Sequence, residues 1–483
     1  MERLLTLSCI KLAGLIRGRE VTSVEVVRAH IDHIKKVNPL LNAVVKDRFE
    51  AALTEAAEAD RKVRELPADT LPPLHGVPFT VKESFTLSGM PNASGLVARR
   101  GIISERDATV VARLRRAGAI PLGVTNTPEL CMWMETNNRL YGRTRNPYDP
   151  GRIVGGSSGG EGAIIGAGGS PFGVGADIGG SIRMPAFFNG VFGHKPTGGL
   201  VPNTGQHPMA RNDARTYLTT GPLARRAEDL MPLLKIMAGP DGIDPGCADM
   251  KIGSIADVSI KGLTVIDVED NGSTRVSADL GEAQRRVAAF LGTRGAVVKE
   301  TKIPALRDSL DIWSSLLYAA DQESFSVMLG NGRKISPLLE FIRWSIGRST
   351  HTFPAIVLAA FEGLPGLVPW RTKRFVEAGK ALRKEIVRLM GPGGIMLYPS
   401  YSRPAPKHNV PLLTPFDWVY TAILAMMEVP VTQVPLGLNK EGLPLGIQVA
   451  AMHGNDHLTI AVALELEKAY GGWVPPKIGL LNY

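Results

Sequence analysis

Gly155-Gly-Ser-Ser-Gly-Gly160, followed by Gly173-Val-Gly-Ala-Asp-Ile-Gly-Gly-Ser-Ile-Arg183, is the stretch that decides how this 483-residue chain is read. Both motifs lie in a block, Gly151 to Gly199, that is rich in glycine and serine and poor in charge, with Asp177 and Arg183 among its few charged residues. Linkers share the glycine content, but they are polar. This block carries Ile164, Ile165, Phe172, Val174, Phe187, Phe188, Val191 and Phe192, so it reads as folded and tightly packed. Glycine at this density lets backbone approach backbone and lets amides converge. Asp177-Ile-Gly-Gly-Ser181 sets a serine at the end of successive N–H groups, which is how an oxyanion hole is built around a nucleophile.

A serine hydroxyl needs a base. No histidine lies close in sequence, but Lys82 ends the alternating apolar segment Val77-Pro-Phe-Thr-Val-Lys82, a predicted strand. Burial disfavours a charged lysine and lowers its pKa, as a lysine base requires. Around this segment the pattern alternates helix and strand. Thr22 and Glu25 have capping-box spacing, with Val24, Val27, Ile31 and Ile34 on one helical face until Pro39. Phe49 to Glu65 reads as a helix, Asp107 as the cap of a helix through Arg116 that Gly118 ends, and Ala119 to Val124 as a strand. Residues 249–305 alternate short strand-like and helical runs. Ile395 to Tyr398, Val429 to Leu436 and Leu443 to Ala451 read as further strands. The alternation argues for an α/β fold with a mostly parallel sheet. No fixed-period repeat is present. Residues 1–483 read as a single domain, with N-terminal helices over 1–65, a catalytic core over 66–205 and an apolar region with basic punctuation over 335–375.

Bulk properties narrow the function classes. Fifty-five basic against 46 acidic residues give a net charge of +9, a mild excess that permits attraction to an anionic membrane. No Lys/Arg run is dense enough for a nucleic-acid footprint. Cys9, Cys131 and Cys247 form no C-x-x-C pair or zinc-spaced cluster, and so sparse a set suggests a reducing, cytoplasmic compartment. Met1 to Arg19, punctuated by Glu2, Arg3, Lys11, Arg17 and Arg19, reads as an amphipathic helix and not a signal peptide. No apolar run reaches the roughly 18 residues that span a membrane.

The two motifs, with Val81-Lys-Glu83 upstream, resemble the amidase signature family, and the resemblance runs from about Leu4 to Gly442-Leu-Pro-Leu-Gly-Ile-Gln448. Glu129-Leu-Cys-Met-Trp133, Gly193-His-Lys-Pro196, Tyr398-Pro-Ser400 and Ala405-Pro-Lys-His408 carry it closest to the fatty-acid amide hydrolases of the second type. The resemblance implies an α/β/α fold with a central mixed, twisted sheet flanked by helices. It implies a Ser-Ser-Lys triad: Ser181 as nucleophile, Ser157 as relay on a cis Gly156–Ser157 peptide, and Lys82 as base. It further implies an oxyanion hole from the amides of Ile178, Gly179, Gly180 and Ser181, a buried Asp177–Arg183 pair and an orienting role for Ser158. Cys131, Met132 and Trp133 would line the substrate site, and residues 335–375, with Phe341 and Trp344, would form a membrane-facing cap and acyl channel. The implied substrates are primary fatty-acid amides and N-acylethanolamines, with no metal and no organic cofactor. A homodimer and contact with a membrane or lipid droplet are implied in turn. The N-terminal hydrophobic anchor of the nearest relatives is not seen in this sequence.

Other readings fit less well. Gly155-Gly-Ser-Ser-Gly159 formally matches G-x-S-x-G, with His453 or His457 downstream. However, it is flanked by a glycine loop and not by strand then helix, and no His-Gly-Gly-Gly precedes it. No G-x-x-x-x-G-K-[ST] cradle for phosphate is present. Within the family, an amidotransferase A-type subunit would act on glutamine beside partner subunits, and the long apolar stretch in the second half argues against it. A catalytically silent scaffold is opposed by the intact Lys82, Ser157 and Ser181.

Overall fold

A computed structural model describes residues 2–320 and 323–478. Besides a two-residue hairpin pairing Asn137–Asn138 with Gly142–Arg143, its strands begin with β1 (Val44–Asp47), β2 (Pro78–Lys82), β3 (Ile120–Thr125), β4 (Phe172–Asp177), β5 (Phe192–Lys195) and β6 (Thr219–Ala224). They continue with β7 (Thr264–Asp267), β8 (Val297–Glu300), β9 (Ile395–Tyr398), β10 (Val431–Leu438) and β11 (Pro444–Ala451). All belong to one 11-stranded sheet in the order β1-β3-β2-β4-β6-β5-β10-β11-β9-β7-β8. The sheet is mixed, as the family resemblance implies, and the expectation of a mostly parallel sheet is overturned. Only the pairs β2–β3, β2–β4, β7–β8 and β7–β9 are parallel. β10 and β11 pair antiparallel where the chain turns back around Gly442.

The period-2 alternation of a strand divides its residues between the two faces. Phe79 and Val81 of β2 and Phe172, Val174 and Ala176 of β4 enter the largest apolar cluster. Their alternates, Thr80, Lys82, Gly173, Gly175 and Asp177, face the other way. At the far end of the sheet, Val265 and Leu397 join the first cluster while Ile266, Met396 and Tyr398 join a separate one. The catalytic-looking residues thus share one face of a buried sheet.

Helices cover the sheet. A 3-10 turn at Glu2–Thr6 and α1 (Cys9–Arg17), capped by Ser8, replace the single helix expected over residues 1–19; Met1 lies outside the described residues. In α2 (Ser23–Leu41) the Thr22–Glu25 capping box is formed. The helix runs through Pro39 to Leu41, because Asn38 Oδ1 receives the Ala43 and Val44 amides and secures the exit. α3 spans Phe49–Glu65. α4 spans Thr109–Arg116, and Asp107 does not cap it; its carboxylate accepts from the Ser88 amide and from Arg115. α5 (Gly159–Gly166) and α6 (Arg183–Phe188) follow the two glycine motifs. The later region holds α7 (Ser309–Ala320), α8 (Pro337–Ser345), α9 (Phe353–Phe361), α10 (Leu364–Leu367), α11 (Pro369–Met390) and α12 (Val419–Met426). Among the described residues no single helix is long and apolar enough to cross a membrane.

Glycine is required where α5 meets the sheet. A Cβ on Gly160 would lie 2.3 Å from the Asn126 amide nitrogen and 2.8 Å from the Ala43 carbonyl oxygen, both backbone atoms that cannot yield like a side chain. Gly160→Ala is therefore expected to lower the unfolding free energy by about 1–3 kcal/mol, the usual penalty for overpacking, as measured by urea denaturation.

Candidate active site

From Ile153 to Leu200 every residue is buried except Ile178 and Ser181. Ser181 is thus the one polar residue of the block that is not buried. Its turn leaves the end of β4 and is organised by Asp177. The Asp177 carboxylate accepts from the Gly180 amide at 2.7 Å, the Ile182 amide at 3.0 Å, and Arg183 Nε and Nη2 at 3.0 and 2.8 Å. Burial works against ionisation of Asp177, but the guanidinium of Arg183 and these donors hold its pKa below the ordinary range. Arg183 Nη1 also donates to Gln448 Oε1 at 2.7 Å on β11, which ties the turn to the middle of the sheet. One of the four amides expected in the oxyanion hole is therefore engaged: Gly180 gives its N–H to Asp177, leaving Ile178, Gly179 and Ser181.

Lys82 ends β2 on the same face, and its Nζ lies 2.7 Å from Ser157 Oγ. The Gly156–Ser157 peptide is cis. The Ser158 amide donates to the Ser181 carbonyl at 3.1 Å, which joins the two motifs directly, while Ser158 Oγ lies 3.4 Å from the Ala176 amide. Burial lowers the Lys82 pKa, opposed by Cys131, Asp177 and Glu161. Glu161 lies behind it, accepting from Thr80 Oγ1 at 2.7 Å and Thr125 Oγ1 at 2.8 Å. Burial pushes the Glu161 carboxyl up to about 8. It is thus mainly a neutral acid near pH 7, and it adds little charge to hold Lys82 protonated.

Ser181 opens into a cavity of two lobes, of about 500 and 540 Å³, which share Cys131, Met132, Ile178, Ser181 and Trp313. Lys82 and Ser157 line only the second lobe, and Trp133 only the first. Cys131 has left-handed backbone (φ 61°), and its thiol lies 3.2 Å from Thr127 Oγ1. Phe341 and Trp344, expected in an acyl channel, do not line either lobe. They stack with each other and against Phe353 in an aromatic cluster between α8 and α9. The wall is built instead by Val357, Leu358 and Phe361 of α9, Leu364 of α10 and Phe375 of α11. Trp313 of α7 and Trp418, just before α12, complete it. Sequence reading missed these two tryptophans, since a lone Trp far along the chain has no motif beside it. Among the described residues no histidine lines the cavity, and the exposed His453 faces the Glu428 carbonyl, so the G-x-S-x-G reading has no base.

Comparison with known proteins shows the family to which the chain belongs. The sequence pattern of the family described as Amidase matches residues 25–460. The chain belongs to the amidase family. This amidase is 49% identical to fatty-acid amide hydrolase 2 of Homo sapiens, over 98% of its length and 91% of the relative's. It is 51% identical to fatty-acid amide hydrolase 2-B of Danio rerio, with the same coverage. Among solved structures, 6-aminohexanoate cyclic dimer hydrolase superposes with a TM-score of 0.83 at 26% identity, covering 98% of this chain and 99% of that one.

Glu161 gives the amidase a pH signature in stability. Its folded-state pKa is raised, so its contribution is present at acid pH and is lost as pH rises from the ordinary glutamate range through about 8. Glu161→Gln should flatten this decline, so that the variant gains on wild type between pH 5 and 8 in urea titrations. A constant difference across that range would contradict it.

Proposed function

We propose that this amidase hydrolyses long-chain fatty-acid amides, both primary amides and N-acylethanolamines, through an acyl-enzyme on Ser181. The observation that carries the reading is the placement of Ser181 where a largely apolar, two-lobed cavity meets the buried Lys82–Ser157 pair. Lobes of this size lie within the roughly 300–1,000 Å³ that holds drug-sized apolar ligands. Relatives named fatty-acid amide hydrolase 2 support the substrate class.

In this mechanism neutral Lys82 takes the Ser157 proton while Ser157 takes that of Ser181. Ser181 Oγ attacks the amide carbonyl, and the oxyanion is received by the amides of Ile178, Gly179 and Ser181. The proton returns through Ser157 to the leaving nitrogen, which otherwise departs poorly. Because Lys82 and Ser157 line only the second lobe, the amine leaves on that side and the acyl chain lies in the first. Water activated by the same pair then releases the fatty acid.

Lys82→Ala should reduce oleamide hydrolysis by about 10²–10⁴-fold, and Ser181→Ala should abolish both turnover and fluorophosphonate labelling. Wild-type kcat/KM should climb with pH to a plateau whose midpoint lies below the ordinary lysine pKa of about 10.4, because the base acts neutral and burial lowers it. Glutamine as the sole substrate, or full activity in Ser181→Ala, would overturn the reading.

The same proposal includes peripheral membrane contact. Phe361, Leu364 and Phe416 line the first lobe and are also exposed, so they mark its mouth. Leu367 (75% exposed) and Trp370 (70%) follow Leu364 in the chain, Leu413 (84%) precedes Phe416, and Leu338 (72%) is exposed on α8. Arg343, Arg371, Lys373 and Arg374 lie on the same helices and Arg348 in the loop after α8, a mixture suited to an anionic lipid interface. Leu367→Asp with Trp370→Asp should weaken sedimentation with phosphatidylserine vesicles at least tenfold, leaving turnover of a soluble short-chain anilide within about twofold of wild type. Unchanged vesicle binding would remove the membrane from the reading.

A further inference from the structure

The oxyanion turn is held from outside the catalytic segment. Trp313 Nε1 donates to the Ile178 carbonyl at 3.1 Å. In a trans peptide the carbonyl and the following N–H point in opposite directions. A donor that fixes the Ile178 carbonyl therefore aims the Gly179 N–H away from Trp313. The next carbonyl, that of Gly179, accepts from Thr421 Oγ1 at 2.9 Å. The Trp313 and Trp418 rings meet edge-on, with centroids 4.7 Å apart and planes at 90°. A Cβ on Gly179 would lie 3.1 Å from Trp418 and 3.6 Å from Trp313 Nε1, so both indoles press on that residue. Trp418 is itself pinned, its N–H given to the Pro415 carbonyl at 2.7 Å. Trp313 projects from α7 and lines both lobes of the cavity.

We propose that Trp313 is a positioning residue whose indole N–H sets the direction of the Gly179 amide in the oxyanion hole, and whose ring makes that setting depend on the acyl chain beside it. The inference rests on the reading of Ser181 as nucleophile. Its weight comes from the engaged Gly180 amide: with that donor committed to Asp177, the hole depends more heavily on Gly179. A chain lying along the first lobe touches the indole ring and presses it against Ile178 and Trp418. Occupancy by substrate then tightens the donor geometry where negative charge develops. The consequence is a selectivity expressed in kcat: a short acyl group that fails to reach the indole is turned over more slowly even when saturating.

The test uses the full chain and Trp313→Phe, which keeps an aromatic ring and deletes the donor. For oleamide, kcat should fall about tenfold to a hundredfold, below the 10²–10³ seen when a hole donor is lost outright, with KM changed less than about twofold. A long-chain trifluoromethyl ketone, whose adduct with Ser181 carries an oxyanion, should lose affinity by the same factor, while oleate should bind as before. Thr421→Val releases the peptide whose N–H goes to Asp177 and should lower kcat several-fold less. In wild type alone, kcat should rise from butyramide to oleamide, and in Trp313→Phe it should become flat. Unchanged kcat in Trp313→Phe, parallel loss of ketone and oleate affinity, an equal loss in Thr421→Val, or a wild-type kcat independent of chain length would each overturn the inference. A wild type that leaves oleamide uncleaved would instead defeat the parent reading and take this inference with it, whereas cleavage lost in Ser181→Ala keeps the two separable.

Discussion

The ion pair of Asp177 and Arg183, both fully buried, is the constraint on which the site depends. A buried pair gains little net stability over an apolar replacement, but removing one partner strands a charge and costs about 3–5 kcal/mol. Its value here is geometric. Asp177 accepts from three amides of the turn that carries Ser181, and Arg183 joins that turn to Gln448 in the sheet. Gln448 Nε2 in turn donates to the Pro399 carbonyl at 2.7 Å. The backbone around Ser181 therefore has few alternatives. Gly180 adds to this: with φ +116° and a would-be Cβ 2.0 Å from Thr421 Oγ1, no larger residue fits the turn.

Charge on the site face is balanced so that one lysine is left poorly supported. Asp177 has its own cation in Arg183, and Glu161, mainly protonated near neutral pH, supplies little negative charge. A second buried lysine, Lys195, has its pKa brought down to about 7 by burial and by Arg183. Lys82 sits among these groups with burial as the largest influence on its pKa. An amine that loses its proton readily is the result, and it comes from the arrangement of several buried groups and not from Lys82 alone.

The legible part of this molecule was the part built from backbone. Gly155, Gly156 and Gly160 are required because a Cβ would collide with main chain, and Gly179 and Gly180 because it would meet Trp418 and Thr421, and such demands leave a local signature. The strands at Pro78–Lys82 and Ile395–Tyr398 were legible for a related reason, their alternation or unbroken apolar run between turn residues. Asp107 misled because the same residue type caps a helix or bridges a loop, and only the fold places Ser88 and Arg115 beside it. The sheet's pairing was illegible in the helix–strand rhythm, since an antiparallel neighbour is chosen by the path of the chain and not by the strand's own residues. Phe341 and Trp344 belonged to the expected region, but periodicity cannot say which aromatic residues face inward.

The cavity was hidden for a deeper reason. A side chain that lines an empty apolar space obeys the same pattern as one packed in a core. α9 is almost wholly apolar, yet only Ala355, Ile356 and Ala359 of its nine residues are buried. The hydrophobic effect disfavours leaving so much apolar surface in water. Val357, Leu358 and Phe361 find part of the answer by facing the cavity. Under the proposed function, the acyl chain of the substrate packs against these side chains. In that reading, substrate class and fold are linked through α9, which turns these apolar side chains toward the cavity.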